Sequence, residues 1–252
     1  MRTFRCPVTR ILAFILLFVL LSGINITLTG QSAGDYRSRA TANWNQNTAW
    51  QKYNGSTWVN CAAGDYPGAS AGAGVITIRP THTVTVTASP PNPIGSLIVE
   101  SNLSYSATCE LSLTGDFSIT GGTLNMSVNN GRTGTLNIGG DFSMSGGSIT
   151  ETSNRRGIIV FNKNGTQVFT KTGGIISNNI RFTVNSGSNL DMGTYILDGS
   201  TDSFTLNSGA TLTTANSEGI SSSPALSGSI QVTGARNFDT CLLYTSDAAD
   251  EE

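Results

Sequence analysis

The sequence predicts an all-β protein that folds as a right-handed parallel β-helix, a solenoid in which short strands stack coil upon coil. Residues Leu111–Leu124 recur about 25 residues later as Leu136–Ile149, with seven of fourteen positions identical. A second segment, Phe182–Leu190, recurs as Phe204–Leu212 at an offset of about 22 residues. Periods of this length suit one coil of three short strands and their turns. A β-sandwich is the alternative, because it also uses many short strands, but it does not predict in-register copies.

The composition fits this fold class. Charged residues make up 12% of the 252-residue chain, about half the usual share of ~25%, and glycine contributes 29 residues. Few charges, many β-branched residues and many glycines are typical of short strands joined by tight turns. Without the predicted leader and tail described below, the charges nearly balance. A nucleic-acid partner is therefore not expected, because such a partner requires a basic face.

Residues 1–33 have the three-part layout of a secretory signal peptide. Arg2, Arg5 and Arg10 form a basic start, and Ile11–Leu21 is an apolar run of eleven residues. A membrane-spanning helix needs about 20 apolar residues, so this run is too short to be one. The sequence thus predicts a secreted or cell-surface protein whose contact with the membrane is limited to the cleaved leader.

Residues 34–90 are predicted to form a tryptophan-rich β module that caps the solenoid. The Asn-Gly step within Trp50–Trp58 indicates a β-hairpin, because Asn and Gly tolerate the positive φ values of its turn. Five aromatic side chains are expected to cluster in this module, namely Tyr36, Trp44, Trp50, Tyr53 and Trp58. A small structural core is the first interpretation. A sugar-stacking platform formed by Trp44, Trp50 and Trp58 is the alternative.

Residues 91–240 are predicted to be the coils of the β-helix. Strand-like pieces of four to six residues alternate there with glycine-containing turns. Because stacking places equivalent residues above one another, we expect Phe117 over Phe142 and Phe182 over Phe204 in the core.

The final segment, 241–252, is interpreted as foreign to the protein. Cys241–Asp250 reads CLLYTSDAAD, which resembles ten consecutive codons of a translated transposase-type sequencing adapter. On this interpretation the natural protein continues past Thr240 and the chain is a fragment. An ordinary acidic tail is the alternative, and resequencing the locus distinguishes the two.

Two cysteines, Cys61 and Cys109, remain once the leader and the tail are set aside. A disulfide between them is compatible with a compartment outside the cytosol. Two buried free thiols are the alternative. Mass measurement with and without reductant distinguishes the two states.

Three stretches of the chain resemble one family of proteins. Gly34–Trp58, Gly157–Thr170 and Phe182–Leu190 are similar to segments of large secreted or surface proteins of Bacteroidetes bacteria. The resemblance covers residues 34–240. It implies an N-terminal Trp-rich module, a β-helical adhesin-like body and a C-terminal sorting domain for type IX secretion. That sorting domain does not occur in this sequence, as expected for a fragment, and the resemblance brings no catalytic motif.

Asp116 and Asp141, the matching acids of the first repeat, are the best candidates for a metal site. Stacked on neighbouring coils they would lie about 4.8 Å apart, and solvent, turn hydrogen bonds or a cation must relieve their repulsion. The main interpretation is a Gly-Asp turn whose carboxylates bind backbone N–H groups. Ca²⁺ binding is the alternative. No other cofactor is indicated.

The remaining polar side chains match no catalytic motif. Asp191, Asp198 and Asp202 have the spacing of no known metal loop and are interpreted as solvated turn acids. His82 is the only histidine, and no GxSxG elbow accompanies it, so a serine–histidine triad is not indicated. The Arg155–Arg156 pair is interpreted as part of a solvated turn.

These observations predict a non-enzymatic extracellular segment, structural or adhesive, of a larger secreted protein. Its expected partners are extracellular glycans or surface proteins of host or neighbouring cells. The alternative function is a carbohydrate-binding module or a fragment of a polysaccharide-degrading β-helix enzyme.

Overall fold

The structure is a computed structural model that describes residues 30–221, 225–238 and 244–246. The chain divides into two compact units, Met1–Gln31 and Ser32–Glu252, and the described residues belong almost entirely to the second. Nearly all of the predicted leader and most of the adapter-like segment therefore lie outside the described residues. In the part of the chain that is described, no helix is long and apolar enough to cross a membrane.

The described residues of the second unit form short β-strands and one turn of 3-10 helix, Asn47–Ala49. The strands of its first half are β1 (Tyr36–Ser38), β2 (Ala42–Asn43), β3 (Trp50–Tyr53), β4 (Trp58–Asn60), β5 (Ile76–Ile78), β6 (Thr83–Val86), β7 (Leu97–Val99), β8 (Asn102–Tyr105), β9 (Cys109–Leu113), β10 (Phe117–Ile119), β11 (Thr123–Asn125) and β12 (Gly134–Ile138). The strands that follow are β13 (Phe142–Met144), β14 (Ser148–Thr150), β15 (Gly157–Phe161), β16 (Gly165–Lys171), β17 (Ile175–Ile176), β18 (Ile180–Val184), β19 (Ser188–Asp191), β20 (Leu197–Asp198), β21 (Phe204–Leu206), β22 (Thr211–Thr214), β23 (Ile230–Gln231), β24 (Arg236–Phe238) and β25 (Tyr244–Ser246).

These strands wind into a right-handed parallel β-helix of about six coils, which confirms the predicted fold class. One coil runs through β10, β11 and β12, and the next runs through β13, β14 and β15. Each of these two coils therefore contributes one strand to each of three sheets, whereas β20 and β23 of later coils form a separate two-stranded sheet. The first sheet has eleven strands in the described structure, and the second and third have six each. The sandwich alternative is wrong, because strands of successive coils pair in parallel.

The repeats are in register, as predicted. Phe117 is paired with Phe142, and Phe182 is paired with Phe204. Along most strands of the coils the residues alternate between the buried interior and the surface, as in β10, where Ser118 faces outwards. The phenylalanine stack continues beyond the repeat, since the rings of Phe142 and Phe169 lie parallel with centroids 4.8 Å apart. The core is thus one continuous apolar column inside the coils.

The tryptophan-rich region joins the same sheets as the coils. Strand β1 pairs in parallel with β5, and β2 pairs in parallel with β6. The predicted hairpin is present, because β3 and β4 are antiparallel and Tyr53 is paired with Trp58. Asn54 supports its turn by accepting hydrogen bonds from the N–H groups of Ser56 and Thr57. Pairing of β5 with β7 carries the first sheet across the expected boundary at residues 90–91.

Candidate functional site

A column of polar acceptors follows the corner where each coil enters the first sheet. We call it the acceptor column, and its members are Asp35, Ser96, Asp116 and Asp141. Each side chain accepts a hydrogen bond from a backbone N–H of the next coil. Asp116 Oδ1 accepts from Asp141 N at 2.8 Å, and Asp141 Oδ1 accepts from Val168 N at 3.0 Å. Asp35 and Ser96 make the same contact with Val75 N and Asp116 N.

Glycine makes room for this column. Gly140 precedes Asp141, and a methyl group added at its Cα would overlap the Asp116 carboxylate and the backbone of Gly115. Gly115 likewise lies against Ser96 Oγ, and Gly74 lies against Asp35 Oδ1. The Gly-Asp dipeptide of the repeat is therefore a packing unit, since the glycine of one coil accommodates the carboxylate of the coil before it.

The predicted metal candidates, Asp116 and Asp141, thus act as hydrogen-bond acceptors within the fold. Asp141 Oδ1 also accepts from Lys163 Nζ at 2.7 Å. Burial opposes ionisation of Asp141, but the Lys163 ammonium and the Val168 N–H hold the pKa of this carboxyl below its ordinary value. Among the described residues, no group of three or more acidic, histidine or cysteine side chains lies together as a metal site would require.

The three tryptophans do not share a surface. Trp44 and Trp50 have no exposed area, and their rings meet edge to face at 4.9 Å. Their indole N–H groups donate to backbone carbonyls, Trp44 to Pro67 O and Trp50 to Trp44 O. A sugar ring cannot stack on side chains with no exposed surface, so the three-tryptophan platform does not form. Trp58 alone is partly exposed.

Trp58 lies in a small outer cluster on the hairpin. Its ring is tilted against Tyr53 with centroids 5.3 Å apart. The Arg37 guanidinium lies over the Trp58 ring at 4.4 Å from the centroid, a cation–π contact. The five aromatic residues expected to form one cluster are therefore divided between a buried pair, this outer group and Tyr36, which is buried separately with its hydroxyl donating to Asp65 Oδ1 at 2.6 Å.

Cys61 and Cys109 are both free and buried, so the structure agrees with the alternative of two buried free thiols and not with a disulfide. Burial, with a smaller contribution from Asp65, raises the pKa of the Cys61 thiol to about 11. Burial also raises the pKa of Cys109, whose Sγ donates to the Ala107 carbonyl at 3.4 Å. Both groups are therefore neutral thiols at neutral pH, which makes them poor nucleophiles.

His82 forms a hydrogen bond with a serine, but this pair is structural. His82 Nδ1 and Ser38 Oγ are 2.9 Å apart, and the Arg79 N–H donates to the same oxygen. Ser38 has no exposed surface, so a substrate cannot reach its hydroxyl. The pair fixes the turn before β6, in which Thr81 has a φ of 73°.

Further polar ladders follow other corners of the solenoid. Asn185 Nδ2 donates to Asn162 Oδ1 at 2.9 Å, and Asn207 Nδ2 donates to Asn185 Oδ1 at 3.1 Å. The hydroxyls of Thr123 and Ser148 are 3.1 Å apart on the second sheet. Stacked amides and hydroxyls of this kind link successive coils while their outer atoms remain in contact with solvent.

A groove of about 640 Å³ lies at the corner between the second and third sheets. We call it the arginine groove, and the side chains that define it are Thr133, Arg155, Arg156, Asn179, Thr201 and Asp202. Its members come from the turns before β12, β15, β18 and β21, so the groove extends over four successive coils. Ile158 and Asn154 complete its lining.

Asp202 is the only acidic side chain among the residues that line this groove, and two arginines share it. Its Oδ2 lies 3.1 Å from Arg156 Nε, and its Oδ1 lies 3.7 Å from Arg181 Nε. The Asp202 side chain is only 13% exposed, so the expectation of a solvated turn acid is wrong. Arg181 adjoins the groove, because it is paired with the lining residue Ile158. Its buried Nε has no hydrogen-bond partner.

The three acids of the segment 191–202 are not brought together. Asp191 Oδ1 accepts from Gly193 N at 3.0 Å, and Asp198 forms an ion pair with Lys171 at 2.9 Å. Asp202 alone belongs to the arginine groove. The Arg155–Arg156 pair is exposed, as interpreted, but Arg156 is also paired with Asp202.

The sequence predicted that the Asp116 and Asp141 carboxylates bind backbone N–H groups, as observed, but it did not predict the column that they form with Asp35 and Ser96 or the arginine groove. The acceptor column could have been found by noting that an acceptor residue follows glycine at both copies of the repeat. The arginine groove offered no comparable signal, because Arg156 and Arg181 are not equivalent in the strand register, in which Arg181 is paired with Ile158. Comparison with known protein families, curated proteins and solved structures finds no significant match to this chain.

Proposed function

We propose that the chain is a non-enzymatic, extracellular β-solenoid segment that acts as a spacer or an adhesive rod in a larger surface protein. The observation that carries this proposal is the repetition of the same contacts from coil to coil. The phenylalanine stack and the acceptor column each link coil to coil by the same contacts. A fold of this kind lengthens by adding coils, since each coil contacts only its neighbours.

Export from the cell is supported by the sequence of residues 1–33 and by the resemblance to secreted Bacteroidetes proteins. The test is expression of the full chain in a Bacteroidetes host, followed by mass measurement of the N-terminus in the medium and on the cell surface. We expect a chain that starts between Gly30 and Gly34. A chain that stays in the cell with Met1 intact contradicts the proposal. Type IX export is tested in the same host with the chain fused to a sorting domain, in the presence and absence of that secretion system.

The adhesive role is supported by the polar ladders, which offer regularly spaced amides and hydroxyls to a partner. Beads that carry the full chain are expected to bind extracellular matrix or neighbouring cells. The control is the same bead carrying the chain after thermal unfolding, which removes the columns but keeps the composition. Turnover of any polysaccharide by the purified chain contradicts the non-enzymatic role.

A carbohydrate-binding role is the second candidate, and the outer cluster of Trp58, Tyr53 and Arg37 favours it. This cluster contains the only tryptophan with exposed surface among the described residues. Trp58→Ala is expected to abolish glycan-array signals if the cluster binds sugar. Trp44→Ala is not a usable control, because it would open a cavity in the core. Tyr66→Ala, at a partly buried aromatic outside the cluster, is the matched variant.

A further inference from the structure

We propose that the arginine groove binds an anionic polysaccharide through the carboxylate or sulfate groups of its sugars. This inference rests on the proposed adhesive function and specifies the class of its ligand. It concerns a different place from the outer cluster of Trp58, since the groove lies at a corner of the later coils.

Charge is the first argument. Arg155 and Arg156 line the groove and Arg181 adjoins it, whereas Asp202 is the single carboxylate that lines it. One carboxylate satisfies about one guanidinium, because an arginine presents five donors in a planar fork that fits a single carboxylate or sulfate. Glu151, a buried carboxylate, also adjoins the groove and accepts from a backbone N–H of the lining at 3.4 Å. Three arginines against two carboxylates still leave the groove with an excess of positive charge and of guanidinium N–H donors.

The state of Arg181 is the second argument. Its Nε is buried without a hydrogen-bond partner, and Asp202 Oδ1 at 3.7 Å lies beyond hydrogen-bond distance. A buried donor without a partner is costly, so such groups usually serve a purpose. An anionic group bound beside Asp202 would give Arg156 and Arg181 two acidic partners in place of one.

The lining indicates a sugar polymer and not a simple ion. Thr133, Asn179 and Thr201 supply hydroxyl and amide groups, which bind sugar hydroxyls, and Thr201 Oγ1 already donates to Asn179 Oδ1 at 2.8 Å. Ile158 supplies an apolar patch for the C–H face of a sugar ring. A volume of about 640 Å³ spread over four coils exceeds the need of one carboxylate. An extended chain of acidic sugars fits a groove of this shape.

The experiment uses the full chain and measures binding by biolayer interferometry to four immobilised polymers. Polygalacturonate carries carboxylates, dextran sulfate carries sulfates, dextran is neutral, and polyglutamate is an acidic peptide. We expect binding to one or both acidic polysaccharides, none to dextran, and weaker binding as ionic strength rises. The polygalacturonate and dextran sulfate arms decide which anionic group is preferred.

The variants test whether the groove is the site. Arg155→Gln/Arg156→Gln should weaken binding roughly tenfold or more, because charge-assisted hydrogen bonds are lost. Arg39→Gln/Arg79→Gln removes the same charge from the first coils and should leave the affinity unchanged. Arg181→Lys keeps the charge but loses the planar fork and should weaken binding by less than the double variant. Circular dichroism confirms that each variant is folded.

Three results would overturn the inference: no binding to either acidic polysaccharide, equal loss in the Arg39/Arg79 control, or equal binding of polyglutamate. The adhesive proposal is tested separately by the beads. If beads bind cells and the groove variants bind equally well, the groove is wrong and the adhesive role stands. If the groove binds polygalacturonate but the beads bind no cell or matrix, the adhesive role is wrong and the groove stands.

Discussion

Two corners of the same solenoid carry charged side chains in their turns. The two corners differ in whether those side chains find their hydrogen-bond partners within the fold. In the acceptor column, each aspartate oxygen accepts a backbone N–H from the next coil, as Asp116 does from Asp141. In the arginine groove, Asp202 is shared by Arg156 and Arg181, and the Arg181 Nε has no hydrogen-bond partner. The acceptors at the first corner all have hydrogen-bond donors within the fold, whereas the second corner has guanidinium N–H donors without acceptors.

This difference shows that a charge in a turn does not by itself indicate a ligand site. The aspartates of the repeat attracted attention because they recur, but they recur because every coil meets the same packing problem. The arginines of the groove do not recur at equivalent positions, since Arg156 lies in a turn and Arg181 lies on a strand. Charged side chains that recur from coil to coil therefore have a structural role here. Those that do not recur at equivalent positions form the candidate site.

The largest expected effect comes from filling the space beneath the acceptor column. Gly140→Ala should destabilise the protein by roughly 3 kcal/mol, because the added methyl group overlaps the Asp116 carboxylate and the Gly115 backbone. Urea unfolding measures the change. Gly131→Ala is the control: its site is open but has a φ of 77°, so it should cost only about 1 kcal/mol of conformational strain. Equal costs would show that the column is not tightly packed.

The next effect comes from removing one acceptor. Asp116→Ala should lower the free energy of unfolding by about 1 kcal/mol, because the Asp141 N–H loses its partner. Asp116→Asn keeps an oxygen in the same place and should restore most of the stability. If both variants lose stability equally, the negative charge of Asp116 matters and its hydrogen bond does not.

A smaller effect is expected from acid. The pKa of Asp141 is lower in the folded protein than in the unfolded chain, so its contribution to stability is present above the unfolded value of about 3.9. That contribution is lost as the pH falls through the folded value. The stability difference between the wild type and Asp141→Asn should therefore shrink from about pH 6 to about pH 2. A constant difference over this range contradicts the role of the Lys163 ion pair.

The smallest effect on stability is expected in the arginine groove. Arg155→Gln/Arg156→Gln should change the free energy of unfolding by no more than about 0.5 kcal/mol, because both arginines are exposed and Asp202 Oδ1 still accepts from Ser203 N at 2.7 Å. Thermal melts and urea unfolding measure it. A loss as large as that of Asp116→Ala would make both corners structural and would remove the contrast between them.

Much of the fold could be predicted from particular residues. The fixed offsets of the two repeats predicted the stacking of Phe117 on Phe142 and of Phe182 on Phe204, and both pairs are observed. Such pairs are predictable because a solenoid repeats one local environment at a fixed period. The hairpin of Trp50–Trp58 was predictable for a local reason, the Asn-Gly step in its turn.

Less of the candidate site could be predicted from the sequence. The prediction of a tryptophan platform was wrong, because the alternation of residues along a strand does not reveal which aromatic ring is covered by a neighbouring segment. Trp44 and Trp50 are buried by contacts with each other and with Pro67, which is distant in sequence. The arginine groove combines turns from four coils, and no single segment contains enough of it to form a motif.

The sequence by itself determined the fold class, the period of the coils and the identity of the stacked core residues, because these depend on a repeated pattern of apolar residues and glycines. Only the tertiary structure decided which polar side chains form hydrogen bonds within the fold and which remain available to bind a ligand. Asp141 and Asp202 are both aspartates in turns, yet one completes a backbone ladder and the other holds two arginines at a groove. The physical reason is that hydrogen-bond partners on neighbouring coils lie 20–40 residues away, so their geometry exists only after the coils have stacked.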